Sequence, residues 1–152
     1  MANQILITQA GLNQLKAELT ELQEVKRPAL VDRLSIARSM GDLAENSDYI
    51  SAKEDLAFMD SRIDELEEMI QNATVPEIAK TDTIDFGHSV TVKVKSAQTT
   101  FQIVGEPEAN PSERKISHSS PLGLALMGKK IGDQVEVEAP VGKITYTVVS
   151  IA

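Results

Sequence analysis

Residues 40–49 read "MGDLAENSDY", and apolar-periodic sequence runs away from them on both sides. Within this stretch Asp42, Glu45 and Asp48 gather three carboxylates in seven residues. Downstream, Tyr49, Ala52, Leu56, Met59, Ile63, Leu66 and Ile70 step by three and four without a miss. That spacing predicts one long helix with a single apolar stripe and the "DELEE" charges outside it. Upstream, Leu12, Leu15, Leu19 and Leu22 make a second stripe, preceded by Thr8 as a helix cap. Apolar spacing resumes at Leu30, Leu34 and Ala37. Two stripes joined by a short turn can cover each other as an antiparallel hairpin. At ~1.5 Å per residue each arm would reach roughly 40–50 Å. Pro28 lies inside the first arm, where it is expected to kink or briefly break the helix.

Beyond the hairpin the period changes. "NATVPEIAKTDTID" (72–85) loses the heptad and reads as a linker. "HSVTVKV" (88–94) alternates as a strand does, "TFQIVG" (100–105) reads as a second strand and "RKISH" (114–118) as a third. "SSPLGLALMG" (119–128) has Ser120 as cap, Pro121 in the first turn and Gly128 as stop, so it reads as a short helix. "GDQVEVEAP" and "GKITYTVVSI" form a hairpin around Pro140–Gly142. The expected fold class is therefore α+β. A helical hairpin occupies 1–75, and a small antiparallel sheet with one short helix occupies 76–152.

Composition narrows the chemistry. Cys is absent from the 152 residues, which excludes disulfides and thiol catalysis and fits a reducing, cytoplasmic setting. Aromatics are 3% of the chain, so the core is aliphatic. No apolar run approaches the ~18 residues of a membrane span, and "MANQILITQ" has no signal-peptide pattern. Net charge is −8, and residues 1–75 hold most of it, with 14 acidic and 7 basic side chains. So acidic a hairpin suits a basic protein surface or a cation better than bare phosphate backbones.

The three acids admit two readings. Locally, Gly41 can end the first arm in a left-handed conformation, Asp42 can cap the second, and Glu45 can complete a capping box. Functionally, carboxylates at the end of a rigid arm offer a hard cation such as Mg²⁺ part of its shell, with another protein supplying the rest. Arg38 and Lys53 flank the turn and could meet a phosphate or an acidic partner. His88 and His118 lack ligand-like neighbours and read as ordinary strand or loop residues.

The same residues carry a resemblance. "RP" (27–28), "AR" (37–38), "GDLAEN" (41–46), Tyr49, "AKE" (52–54), "SHSSPLG" (117–123), "LMGK" (126–129), "GD" (132–133) and the closing Pro140, Gly142, Tyr146 and Val148 are similar to the bacterial Gre transcript-cleavage factors over nearly the whole chain. Ser47 and Asp48 stand where that family more often has Ala and Glu. The resemblance implies an antiparallel coiled coil followed by an FKBP-like domain that docks on RNA polymerase. It implies entry of the coiled-coil tip through the secondary channel, as a monomer, and stimulation of the polymerase's own cleavage of a backtracked RNA 3′ end. Asp42 and Glu45 would then share a Mg²⁺ with polymerase, while Arg38, Asn46, Tyr49 and Lys53 would contact RNA or polymerase. Three other readings compete: a channel-binding inhibitor without cleavage, a prolyl isomerase suggested by the FKBP-like half, and a purely structural coiled-coil adaptor. The intact acid pair weighs against the inhibitor. Having only Phe86, Phe101 and Tyr146 as aromatics in 76–152 weighs against an isomerase cleft.

Overall fold

The computed structural model describes residues 4–78 and 81–152. They form two compact units, one of residues 12–72 and one joining the N-terminal segment through Gly11 to residues 73–152. The chain is α+β, with a helical hairpin in the first unit and a mixed sheet in the second.

The hairpin pairs an ascending arm with a single descending helix. The ascending arm is α1 (Gln9–Glu21), a π-helical turn (Leu22–Lys26) and α2 (Arg27–Ser39). The descending arm is α3 (Ser47–Gln71). Thr8 caps α1 as expected, its hydroxyl accepting the Gly11 N–H at 3.1 Å. Pro28 does not end the arm: the chain stays helical through it, with a π turn just before. Its ring displaces the hydrogen bond that its N–H would have made four residues back. The helix widens instead, and the Arg27 N–H bonds to the Leu22 carbonyl five residues earlier. Backbone torsions stay helical at Lys26 and Arg27.

This turn also solves a register problem. The buried residues of the ascending arm are Leu15, Leu22, Leu30 and Ala37. The first and last steps are seven residues, and the middle step, across the π turn, is eight. One extra residue absorbed there keeps Leu30 and Ala37 on the seam set by Leu15 and Leu22. On α3, Ala52, Ile63 and Leu66 are buried and Tyr49, Leu56, Met59 and Ile70 half-buried, the stripe expected from their spacing. Ion pairs lace the flanks: Arg27 with Asp60 at 2.7 Å and Arg62 with Glu18 at 3.0 Å. No helix of the described residues is long and apolar enough to cross a membrane.

In the second unit, β1 (Ile5–Leu6) pairs in parallel with β2 (Ala73–Thr74). The stretch expected to be all linker thus begins with a strand, because Ala73 and Thr74 find partners in Ile5 and Leu6. Ala79 and Lys80 of that stretch lie outside the described residues. The main sheet contains β3 (Ser89–Val94), β4 (Ala97–Val104), β5 (Lys115–Ser117), β6 (Gln134–Ala139) and β7 (Gly142–Ile151) in the order β5-β4-β3-β7-β6. It is not wholly antiparallel: β5 runs parallel to β4, with Ile103 opposite Ile116. Two short 3₁₀ turns, Glu106–Glu108 and Pro111–Glu113, carry the chain back to make that pairing. Helix α4 (Pro121–Leu126), capped by Ser120, lays Leu126 on the sheet. The core is aliphatic: Ile84, Val90, Val92, Ile103, Leu126, Val135 and Val148. Each such burial stabilises by ~1.5–3 kcal/mol relative to exposure.

The N-terminal segment is held there by a buried joint. Glu108 accepts the Thr8 N–H at 2.8 Å and the Gly105 N–H at 3.0 Å, and its other oxygen bonds the Thr8 hydroxyl. A Cβ on Gly105 would lie 1.9 Å from the Leu6 carbonyl oxygen, so only glycine fits.

Candidate functional site

The turn between α2 and α3 is built by three backbone devices. Met40 and Gly41 donate to the carbonyls of Ala37 and Arg38 at 3.2 and 3.1 Å, closing the ascending arm. Gly41 then takes φ +76°, the left-handed stop expected of it. Asp42 follows at φ +53°, a region that non-glycine residues enter at a cost and that Asp tolerates better than most. A tight turn closes behind it, with the Glu45 N–H on the Asp42 carbonyl at 3.0 Å.

Asp42 does not cap the descending helix. That position belongs to Asn46, whose side-chain oxygen accepts the Tyr49 N–H at 3.1 Å. Its amide nitrogen reaches back to the carbonyls of Ala37 at 2.7 Å and Gly41 at 3.3 Å. One side chain therefore ends one helix, starts the next and ties the two together. The capping-box expectation failed because the turn is four residues longer than a direct cap at Asp42 would allow.

The three acids have different fates. Asp48, in the first turn of α3, is bound by Arg33 at 2.9 Å, and Arg33 also reaches Asp55 at 3.2 Å and the Ser51 hydroxyl. Hydrogen bonds donated to Asp48 and then to Asp55 hold the Arg33 guanidinium above its ordinary pKa, so it stays charged throughout the physiological range. Asp42 and Glu45 are exposed, and their carboxylates have no hydrogen-bond or ion-pair partner among the described residues. Relief of repulsion is thus built in for Asp48 and absent, among the described residues, for the other two. Arg33 was not singled out from sequence. Its role depends on the cross-hairpin register, which the π turn shifts.

Beside the acids, Tyr49 stands half-buried between two cations. The Arg38 guanidinium and the Lys53 ammonium each lie 6.0 Å from its ring centroid, at the outer range of a cation–π contact. Neither cation is ion-paired among the described residues. The structure thus gathers all six sequence candidates, Arg38, Asp42, Glu45, Asn46, Tyr49 and Lys53, at or beside one turn. In the other unit, Phe86 is buried edge-on to His118, and Phe101 and Tyr146 pack against the aliphatic core, so these aromatics line no open cleft. His88 is buried, its Nδ1 accepting the Asp85 N–H at 3.0 Å.

Metal-binding capacity follows from the donor set. Two exposed carboxylates supply hard oxygens suited to Mg²⁺, but only part of its six-oxygen shell. Among the described residues there is no group of three or more His, Cys, Asp or Glu that could hold a metal ion.

Known proteins bear on the whole chain. A family model described as "Transcription elongation factor, N-terminal" matches residues 5–75, and one described as "Transcription elongation factor, GreA/GreB, C-term" matches 79–152. Transcription elongation factor GreA of Lactococcus lactis subsp. cremoris is 46% identical over 149 residues, covering 95% of this chain and 96% of that protein. GreA of Rhodospirillum rubrum is 46% identical over 148 residues, covering 95% and 94%. Among solved structures, GreA factor homolog 1 of Thermus thermophilus aligns over 99% of both chains at 28% identity with a TM-score of 0.47. This chain belongs to the GreA/GreB family of transcription elongation factors.

Proposed function

We propose that this elongation factor binds RNA polymerase, inserts the hairpin turn through the secondary channel and stimulates Mg²⁺-dependent cleavage of backtracked RNA by the polymerase itself. The observation that carries this reading is the division of labour among the acids. Arg33 neutralises Asp48, while Asp42 and Glu45 are exposed and unpartnered on a turn fixed by Asn46. A purely structural turn gains nothing from leaving two like charges unrelieved.

In phosphodiester hydrolysis at a two-metal site, the ions ready the attacking water and stabilise the leaving oxygen. Asp42 and Glu45 are the residues that would hold the second Mg²⁺ together with polymerase, and Glu45 orients the attacking water. The left-handed backbone at Asp42 fixes the direction in which its carboxylate leaves the turn. Arg38 and Lys53, unpaired and flanking Tyr49, lie against the extruded RNA and balance its phosphates. Tyr49 spaces the two cations and offers a ring face to the RNA end. The factor acts as a monomer in the bacterial cytoplasm, supplying groups to an active site that another protein owns.

The test is a stalled, backtracked complex of polymerase from the same bacterium, with RNA labelled at its 5′ end. Adding this protein with Mg²⁺ shortens the RNA, and the Asp42→Ala/Glu45→Ala variant does not. Slowed elongation without shortening by the unaltered protein overturns the cleavage reading in favour of channel inhibition.

A further inference from the structure

The seam of the hairpin has two flanks, and near the turn they carry different chemistry. On one flank Arg33 of α2 commits all three guanidinium nitrogens to α3. Nε and Nη2 donate to Asp48 at 3.3 and 2.9 Å, Nη1 donates to Asp55 at 3.2 Å, and Nη2 also reaches the Ser51 hydroxyl at 3.3 Å. Asp48, Ser51 and Asp55 are spaced by three and four, so they form one row along α3. On the other flank Arg38 of α2 meets Tyr49 and Lys53, two residues four apart that form a separate row. The grooves beside the seam keep the rows apart: Arg33 and Asp55 line one, Tyr49 and Lys53 another.

Between the flanks the buried seam is thin. Its fully buried residues near the turn are Ala37 and Ala52, whereas farther down they are Leu22, Leu30, Ile63 and Leu66. Methyl groups let the helices approach but interlock less than leucine knobs do, so they resist rotation of α3 about its axis only weakly. The polar ties set that rotation instead. Asn46 holds the start of α3 at the turn, and Arg33 holds its first turns. Toward the base, the next side-chain tie between the arms among the described residues is Arg27 with Asp60. Turning α3 opens one flank as it closes the other. Side-chain ends lie ~5–6 Å from a helix axis, so a turn of roughly 20° moves them by ~2 Å.

We propose that Arg33 is a positioning residue for the cleavage reaction: its grip on Asp48, Ser51 and Asp55 sets the rotation of α3, and with it the gap between Arg38 and Lys53 across Tyr49. The proposal rests on the polymerase reading above, in which those two cations meet the extruded RNA. Arg33 forms no hydrogen bond or ion pair with Asp42 or Glu45, so its effect runs through the opposite flank. Charge alone does not perform this task. A lysine keeps the charge, but a single ammonium on a flexible stem does not hold three groups in one plane.

The experiment measures cleavage of 5′-labelled backtracked RNA against the concentration of full-length factor, for the unaltered chain, Arg33→Gln, Lys53→Gln and the double variant. Arg33→Gln raises the half-saturating concentration about three- to tenfold and lowers the maximal rate less. Lys53→Gln raises it at least as much. The double variant matches Lys53→Gln alone, because misplacing a group has no effect once the group is gone. Arg33→Lys behaves as Arg33→Gln does. The thermal midpoint of either falls by no more than about 4 °C, since the pairs are exposed. Losses that add in the double variant overturn the inference, because Arg33 then acts independently of Lys53. Arg33→Lys matching the parent overturns it in favour of charge alone, and loss of helical circular dichroism in Arg33→Gln overturns it in favour of a folding role. An unchanged half-saturating concentration in Arg33→Gln overturns this inference and leaves the cleavage reading intact. Absence of cleavage with the unaltered chain overturns the cleavage reading itself.

Discussion

Asn46 donates to the carbonyl of Ala37 at 2.7 Å, from the cap of one arm to the last buried residue of the other. The same side chain caps α3 through Tyr49. The site is therefore positioned by a residue that needs no contact with substrate to matter.

Asn46→Ala is expected to lose both functions at once, costing about 1–2 kcal/mol of stability. Asn46→Asp keeps the cap and loses the donor to Ala37, so it recovers stability but not the fixed turn. Thermal unfolding beside RNA cleavage separates the two: Ala falls in both measurements, and Asp falls mainly in cleavage.

The acids should divide as their partners do. Asp42→Ala and Glu45→Ala leave stability within about 0.5 kcal/mol, as exposed unpaired groups do, and lower cleavage stimulation by about 10–100-fold or more. Asp42→Gly is more stable than the parent by ~0.5 kcal/mol, since it relieves a left-handed torsion, yet it is equally inactive. Asp48→Ala loses an exposed pair with Arg33, costs no more than about 1 kcal/mol and retains cleavage. Denaturant titration and the backtracked-complex assay check each. An inactive but unperturbed Asp48→Ala would break the proposed division.

The π turn makes a register prediction. Inserting one alanine after exposed Val25 lengthens the step from Leu22 to Leu30 beyond what the π turn absorbs and turns Leu30 and Ala37 away from the seam. Losing Leu30 alone from the seam costs about 2–3 kcal/mol. Pro28→Ala by itself keeps the eight-residue step and changes stability by less than about 1 kcal/mol. Circular dichroism melting distinguishes them.

The joint at the N-terminal segment predicts a third class of defect. Glu108→Ala leaves the Thr8 N–H buried without its acceptor and costs about 1–3 kcal/mol. Gly105→Ala forces the Leu6 backbone aside and costs at least as much. Hydrogen exchange at Ile5–Thr8 and Ala73–Thr74 should rise in both variants, with the amides of the hairpin seam unchanged.

What was legible in the sequence was local. Leu15, Leu22, Ile63 and Leu66 announce their helices by spacing, Thr8 and Ser120 announce caps, and Gly41 announces a stop. The alternation of Val90 and Val92 announces a half-buried strand. What was missed needed a partner distant in sequence. The parallel pairing of β5 depends on the return path through two 3₁₀ turns, and β1–β2 on residues from either side of the hairpin. Asn46 displaced Asp42 as the cap because its amide could also reach Ala37, a contact that exists only once the hairpin has closed. The eight-residue step from Leu22 to Leu30 was the readable trace of the π turn, and it becomes meaningful only when set against the sevens on either side.

The clasp between Thr8 and Glu108 also orders events in time. Its two halves are 100 residues apart, and its neighbour strands β1 and β2 bracket the entire hairpin. During synthesis the segment 4–8 is made before its carboxylate acceptor, which follows only after the hairpin and two strands of the sheet. The arm that carries the acids can therefore complete its own seam while residues 4–8 still wait. A segment made before the hairpin is among the last to find its place.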